Sequence, residues 1–325
     1  VTSSGQRPFD RSLLFVTGKG GTGKSTVAAA IALLAAGEGR RVLLVEMDAK
    51  GSLADVLDTG PLAFEPRRVD LAPAARSAGG ELHVMAMNTE DSLREYLRVI
   101  ARVPLIGRLG PLARTFDFVA DAAPGVKEIL AMGKVCFEVR EGSYDLVVVD
   151  SEASGHVVAQ LDAPRAIRGL VQVGPIRDQT EWMLAILEDH RRTGLLVVTT
   201  PEEMPVTETV ALVGRVRAET GVHVTGVVAN RVLPRWFAGL DGQVFEELAA
   251  APIAESGRVG LATVIDAAAA IEARRSAGVE QLGVLAAELA DVDVTVVPEA
   301  FTRAGGRRVV ALVAEHLADE WGVAP

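Results

Sequence analysis

Leu13-Leu14-Phe15-Val16-Thr17 runs directly into Gly18-Lys19-Gly20-Gly21-Thr22-Gly23-Lys24-Ser25-Thr26. The first five residues form a short apolar run suited to a buried parallel strand, and the Ala/Leu/Ile-rich stretch from Thr26 to Ala36 reads as a helix. Between them Gly18, Gly23, Lys24 and Ser25 satisfy the pattern G-x-x-x-x-G-K-[ST]. The chemistry of that pattern is phosphate binding. Glycines at 18, 20, 21 and 23 let successive backbone N–H groups, through Thr22 to Thr26, converge on phosphate oxygens. Lys24 reaches the outer phosphates and the Ser25 hydroxyl can hold Mg²⁺. The helix N-terminus adds its dipole to the same point.

Lys19 is a second lysine within the loop, and it cannot easily serve the same phosphates from the same side. A role across a dimer interface is the natural reading, with a solvated loop lysine as the plain alternative. With this lysine the loop resembles the deviant Walker A motif of the family that contains ParA, MinD, the nitrogenase iron protein and the ArsA arsenical-pump and tail-anchored-protein-targeting ATPases. The resemblance implies an ATP-binding, ATP-hydrolysing dimer in which Lys19 contacts the nucleotide of the partner subunit.

Beyond the loop, strand-like and helix-like runs alternate. Strands are expected at Leu13 to Thr17, Arg41 to Glu46, Glu81 to Met87, Asp145 to Asp150, Gly194 to Thr200, His223 to Asn230 and Val292 to Val297. That alternation is the mark of an α/β fold, a doubly wound, mainly parallel sheet flanked by helices. Residues from about 89 to 140 turn mainly helical and read as a helical layer added to the sheet. The first 12 residues are polar and are expected to be disordered. With no repeat or low-complexity linker, residues 13–325 are expected to make a single P-loop ATPase domain.

Ligands of open α/β sheets sit beyond the carboxyl ends of the strands, so acids placed there matter. Val42-Leu43-Leu44-Val45 leads into Glu46-Met47-Asp48, and Tyr144 to Val149 leads into Asp150. The second run has the form of a Walker B strand, with Asp150 placed to hold Mg²⁺ together with Ser25. The first resembles the family's switch I. There the resemblance gives Asp48 the orientation of the attacking water, whereas as a bare sequence feature Asp48 could cap the following helix.

Ser151-Glu152-Ala153-Ser154-Gly155-His156 is similar to the switch II of the ArsA-type ATPases, usually D-T-x-P-T-G-H. Gly155 and His156 match, Ala153 stands at the proline position, and Glu152 adds a charge. Ala49-Lys50-Gly51 likewise replaces the family's P-A-H after Asp48. Leu195 to Glu208 resembles an ArsA-type strand and turn. Asn230 matches the family's adenine-reading asparagine, its other reading being a turn residue. Pro298, in Val296-Val297-Pro298-Glu299, resembles the proline loop beside the base.

Composition narrows the possibilities. A formal net charge of -10 argues against sequence-independent nucleic-acid binding, which needs clustered cations. The single cysteine, Cys136, is too few for a thiolate metalloid site or a bridging iron–sulfur cluster, and it reads as a buried apolar residue. No run is apolar enough to span a membrane, so a cytoplasmic protein is expected. The last helix, Arg307 to Trp321, is acidic toward its end and reads as closing the core rather than lying on a membrane.

The expectation is therefore an ArsA-like ATPase using ATP and Mg²⁺. It would work as a homodimer or with a close paralogue and act on a partner or client in anion transport or membrane-protein targeting. Lys19, Lys24 and Asp48 would carry the reaction. The apolar stretch Tyr96 to Val119 is the candidate client surface, or else simple helix packing. Two other classes stay open: a nucleotide-binding scaffold beside a catalytic paralogue, and a metabolic ATP-dependent ligase of the same fold.

Overall fold

The computed structural model describes residues 7–48, 50–88, 91–92, 126–170, 173–235, 247 and 255–323. The candidate client stretch, Tyr96 to Val119, lies outside the described residues. Of the expected helical layer, the part described is one long helix from residue 126.

The apolar runs form the strands of one eight-stranded sheet. In chain order they are β1 (Leu13–Gly18), β2 (Arg41–Glu46), β3 (Arg67–Val69), β4 (Glu81–Ala86), β5 (Leu146–Ala153), β6 (Thr193–Thr199), β7 (Val224–Val232) and β8 (Val294–Pro298). Their spatial order is β3-β4-β2-β5-β1-β6-β7-β8. Every pairing is parallel except β3 with β4. The strand order reverses at β1, which lies between β5 and β6. This is the switch point at which open α/β sheets bind ligands.

The described helices are α1 (Lys24–Gly37), α2 (Ser52–Leu57), α3 (Pro73–Ser77), α4 (Val126–Glu141), α5 (Ser154–Leu170), α6 (Pro175–Leu187), α7 (Glu203–Glu219), α8 (Glu255–Glu288) and α9 (Arg307–Trp321). They cover both faces of the sheet, and for that reason its strands are continuously apolar rather than alternating with polar residues. Successive side chains still divide between the faces. Leu14, Val16, Val42 and Leu44 pack with Ile31 and Ala35 of α1 and Leu317 of α9. Leu13, Phe15, Leu43 and Val45 pack with Met132 and Cys136 of α4, Leu161 of α5 and Val213 of α7.

The small side chains Ala28, Ala29, Ala30 and Ala32 of α1 are fully buried, bringing the helix that carries the phosphate loop close against the sheet. The C-terminal helix closes the core as expected. Val310, Leu317 and Trp321 are buried, and Trp321 Nε1 donates to Thr295 Oγ1 at 2.9 Å.

Three features depart from the sequence expectation. Residues 7–12 are structured rather than disordered: Pro8–Asp10 forms a 3₁₀ turn, and Phe9 is fully buried, 5.7 Å from the Trp321 ring. Arg40 donates to the Phe9 carbonyl, and also to the Arg11 carbonyl at 3.0 Å. A single aromatic anchor thus outweighs the polar composition. Second, β3 adds an antiparallel edge. Third, β5 runs three residues past Asp150, and Ala153 pairs with Gly18. Alanine at the proline position of switch II lets the ladder continue, where proline would remove a backbone donor.

Candidate functional site

At the carboxyl end of β1 the chain must leave the sheet without striking β6. A Cβ on Gly18 would lie 2.0 Å from the Val198 carbonyl oxygen, and the residue has φ +147°, so only glycine fits. Gly23 has φ +93°, and a Cβ there would meet Asn230 Nδ2 at 2.3 Å. The two required glycines bracket a loop whose turn is closed by Thr22 Oγ1 donating to the Lys19 carbonyl at 2.9 Å. Lys24 begins α1 and folds back, with Nζ 3.3 Å from the same carbonyl. Burial lowers the Lys24 pKa, opposed by the charge of Asp150.

The loop opens on a cleft of about 460 Å³. Gly20, Gly21, Gly23, Lys24, Ser25 and Thr26 form one wall; Glu46, Asp48, Lys50 and Asp55 come from β2 and the following turn; Asp150, Ser151, Glu152 and Ala153 come from β5; Arg231 comes from β7. Residues that sequence reasoning took from three separate motifs therefore share one cavity.

Asp150 is 5% exposed, and burial pushes its carboxyl up to about 6, against the lowering effects of the Ser25 hydrogen bond and the Lys24 charge. Its Oδ1 is buried with no hydrogen-bond partner among the described residues. Glu46, 2% exposed, repeats the pattern. One oxygen accepts from Leu53 N–H at 3.3 Å, Oε2 is buried without a partner, and burial raises its pKa. Two unsatisfied buried carboxylate oxygens beside a serine hydroxyl make a donor set of hard oxygens, the chemistry of a Mg²⁺ site. Glu46 is the functional candidate that sequence reasoning passed over. Its signal was present, an acid closing an apolar strand, but of that segment only Asp48 was given a role, the orientation of water.

Asp48 lies at the cleft and is ion-paired with Lys50, the residue by which switch I departs from the family pattern. On the other side Glu152 accepts from Gln160 Nε2 at 2.9 Å, and its backbone carbonyl accepts from Thr17 Oγ1 at 3.0 Å. His156 points outward, 76% exposed and 3.9 Å from Glu152.

Lys19 does not line the cleft and pairs within its own chain. Its Nζ sits 2.6 Å from Glu208 Oε1 on α7, and Glu208 Oε2 accepts from Ser154 Oγ at 3.3 Å. Asn230 is buried, with Nδ2 donating to the Thr22 carbonyl at 2.8 Å and Oδ1 accepting from Arg231 N–H at 3.0 Å. Its side chain therefore grips the phosphate loop. Pro298 ends β8 beside Val232, three strands from β1.

A glycine-rich loop after the central strand, with carboxylates at the neighbouring strand ends, is the arrangement of P-loop nucleotide hydrolases, and the chain is one of this class. A profile of anion-transporting ATPases matches residues 11–179 and 169–246, more than half of the chain, so the chain belongs to the ArsA-type anion-transporting ATPase family and is an ATPase. It is 33% identical over 258 residues to the ATPase BagA of Mycobacterium tuberculosis, covering 77% of this chain and 73% of that protein. It is 27% identical to a putative arsenical pump-driving ATPase of Halobacterium salinarum, over 72% of this chain and 37% of that one. Identity to the ATPase ASNA1 homolog of Entamoeba dispar is 23%, over 68% and 76% of the two chains. Among the described residues no helix is long and apolar enough to cross a membrane.

Proposed function

We propose that this ATPase is a dimeric switch in which two copies of one P-loop domain, built from residue 13 onward, close on ATP and open after hydrolysis. The observation that carries the reading is the lysine pair on one loop. Lys24 lines the cleft, while Lys19, the residue directly after Gly18 at the end of β1, does not line it and is paired with Glu208.

Within each cleft the loop amides of Gly18 to Thr26 and the Lys24 ammonium hold the phosphates. Ser25 and Asp150, with Glu46 beside them, supply the oxygens for Mg²⁺, which when bound neutralises phosphate charge. Asp48 orients the attacking water. Phosphoryl transfer asks little covalent chemistry of a protein, so positioning and charge suffice. Asn230 retains one amide N–H and one oxygen lone pair for the adenine edge, with Pro298 beside the base. In this reading Lys19 crosses to the nucleotide of the partner subunit, and hydrolysis drives a conformational change on a client of the anion-transport or membrane-protein-targeting kind, in the cytoplasm.

Lys19→Ala tests it. The variant should bind ATP with near wild-type affinity but lose ATP-dependent dimerisation, followed by light scattering, and lose hydrolysis with it. Unchanged turnover overturns the shared-site reading. Copurification with Asp48→Asn, which should hold the closed state, identifies the client.

A further inference from the structure

Arg231 is one of two non-glycine residues with positive φ among the described residues, at φ +59°. An L-residue with a long side chain adopts that conformation only where its surroundings impose it, and such positions gather at functional sites. Here the surroundings are explicit. The β7–β8 register shifts between Ala229 and Val232, so Arg231 falls within an irregularity of the ladder, a device that re-aims a side chain next to a site. Asn230 fixes it from one side by accepting the Arg231 N–H while holding the Thr22 carbonyl of the phosphate loop. Glu299 N–H closes it from the other, donating to the Val232 carbonyl at 2.9 Å. The bend in β7 is therefore tied to the loop that binds phosphate.

The result is that Arg231 lines the same cleft as the carboxylates of β2 and β5. It also borders a small adjoining cavity with Arg274 and Arg275. Those two neighbours are engaged: Arg274 with Glu202 at 3.7 Å, and Arg275 with Glu272 at 2.5 Å. Arg231 has no carboxylate partner among the described residues. The cleft wall carries Glu46, Asp48, Asp55, Asp150 and Glu152 against Lys24, Lys50 and Arg231, and Lys50 is already paired with Asp48. A polyanion entering that cleft meets an excess of negative charge. The Arg231 guanidinium, which pairs with no carboxylate among the described residues, is the group suited to offset it, because its planar fork matches phosphate oxygens.

We propose that Arg231 is a polyphosphate-contacting residue of the ATP site, directed into the cleft by a left-handed bend that Asn230 fixes. The proposal rests on the nucleotide occupying the cleft beside Lys24.

Arg231→Gly is the informative variant, because glycine adopts positive φ without strain, so the side chain with its guanidinium is removed while the bend is kept. Loss of a charge-assisted phosphate contact should weaken ATP binding about tenfold or more, measured by titration of a fluorescent ATP analogue. Inorganic tripolyphosphate, used as competitor, should lose affinity by a similar factor. The melting temperature should stay level or rise, and Arg231→Lys should recover part of the affinity. ATP binding within about twofold of wild type, less than half a kcal/mol by the same conversion, overturns the proposal. So does a loss seen with ATP but not with tripolyphosphate, which would place the contact on the nucleoside. Lys24→Ala run alongside separates the two levels: if it binds ATP as well as wild type, the cleft is not the nucleotide site and both readings fall. If Lys24→Ala loses ATP and Arg231→Gly does not, Arg231 alone is wrongly assigned.

Discussion

The Lys19 ammonium lies 2.6 Å from the Glu208 carboxylate of its own chain, and the other oxygen of Glu208 accepts from Ser154, the first residue of α5. One carboxylate on α7 thus ties the glycine-rich loop to the start of α5. The pair is part-exposed, 28% and 38%, and ion pairs so placed are worth about 0–1 kcal/mol. It is weak enough to exchange for a nucleotide phosphate. If Lys19 must leave Glu208 for the partner's nucleotide, Glu208→Gln should lower the ATP concentration for half-maximal dimerisation by about two- to fivefold. Light scattering against ATP concentration reads the shift, and an unchanged midpoint means that Glu208 does not restrain Lys19.

Lys50 and Asp48 give a second expectation. Lys50 is 74% exposed, and its partner is the carboxylate assigned to the attacking water. A lysine on that carboxylate competes with water for its lone pairs. Lys50→Ala should therefore raise single-turnover hydrolysis by about two- to fivefold, the range of a part-exposed pair. Asp48→Asn should reduce it by about a hundredfold or more, as loss of a positioned base or water-orienting group does. Should Lys50→Ala instead weaken ATP binding, Lys50 is a phosphate ligand and not a restraint.

Much of this geometry is legible in the sequence, and what is hidden has a common physical origin. All seven apolar runs became strands of one sheet, because strands covered on both faces must be apolar throughout and cannot be mistaken for solvent-facing segments. The phosphate loop is local, so its glycines announce it. The edge strand Arg67–Val69 is three residues long with two arginines, and its pairing is set by β4 rather than by any pattern of its own. Phe9 lies in a polar stretch and gains its place from Trp321, at the other end of the chain. The contacts of Lys19 with Glu208 and of Asn230 with Thr22 span 189 and 208 residues, distances that no periodicity reports. Glu46 could be seen as an acid at a strand end, yet only the turn that brings Leu53 N–H to it shows that it points inward.

Asp150 makes stability depend on pH. Its pKa in the folded protein is raised from the model-compound 3.8 to about 6, so the folded state favours the protonated form. The associated stability is fully present below about pH 4 and is lost as pH rises through 6. At pH 7.5 without metal the buried charge is a burden of about 2–3 kcal/mol, and Asp150→Asn should melt several degrees higher than wild type. A bound cation favours the ionised carboxylate, so Mg²⁺ should raise the wild-type melting temperature more at pH 7.5 than at pH 5. The asparagine variant should show little of that difference. Thermal scans at both pH values, with and without Mg²⁺ and nucleotide, test the assignment of Asp150 as the metal acid.

The contact between Gly23 and Asn230 separates space from backbone conformation. A methyl group at residue 23 would lie 2.3 Å from Asn230 Nδ2 and would sit on a backbone of φ +93°. Gly23→Ala should therefore destabilise through both, the conformational part amounting to about 1–2 kcal/mol. Asn230→Ala alone should also destabilise, because the buried Thr22 carbonyl loses its donor, at about 1–3 kcal/mol. Combined, the two changes should be less harmful than their sum: the alanine at 230 vacates the space the new methyl needs, while the φ penalty persists. A double-mutant cycle in denaturant melts should thus give a favourable coupling between residues 23 and 230. Simple additivity would mean that the loop shifts away from β7 on its own, and that Asn230 does not hold it.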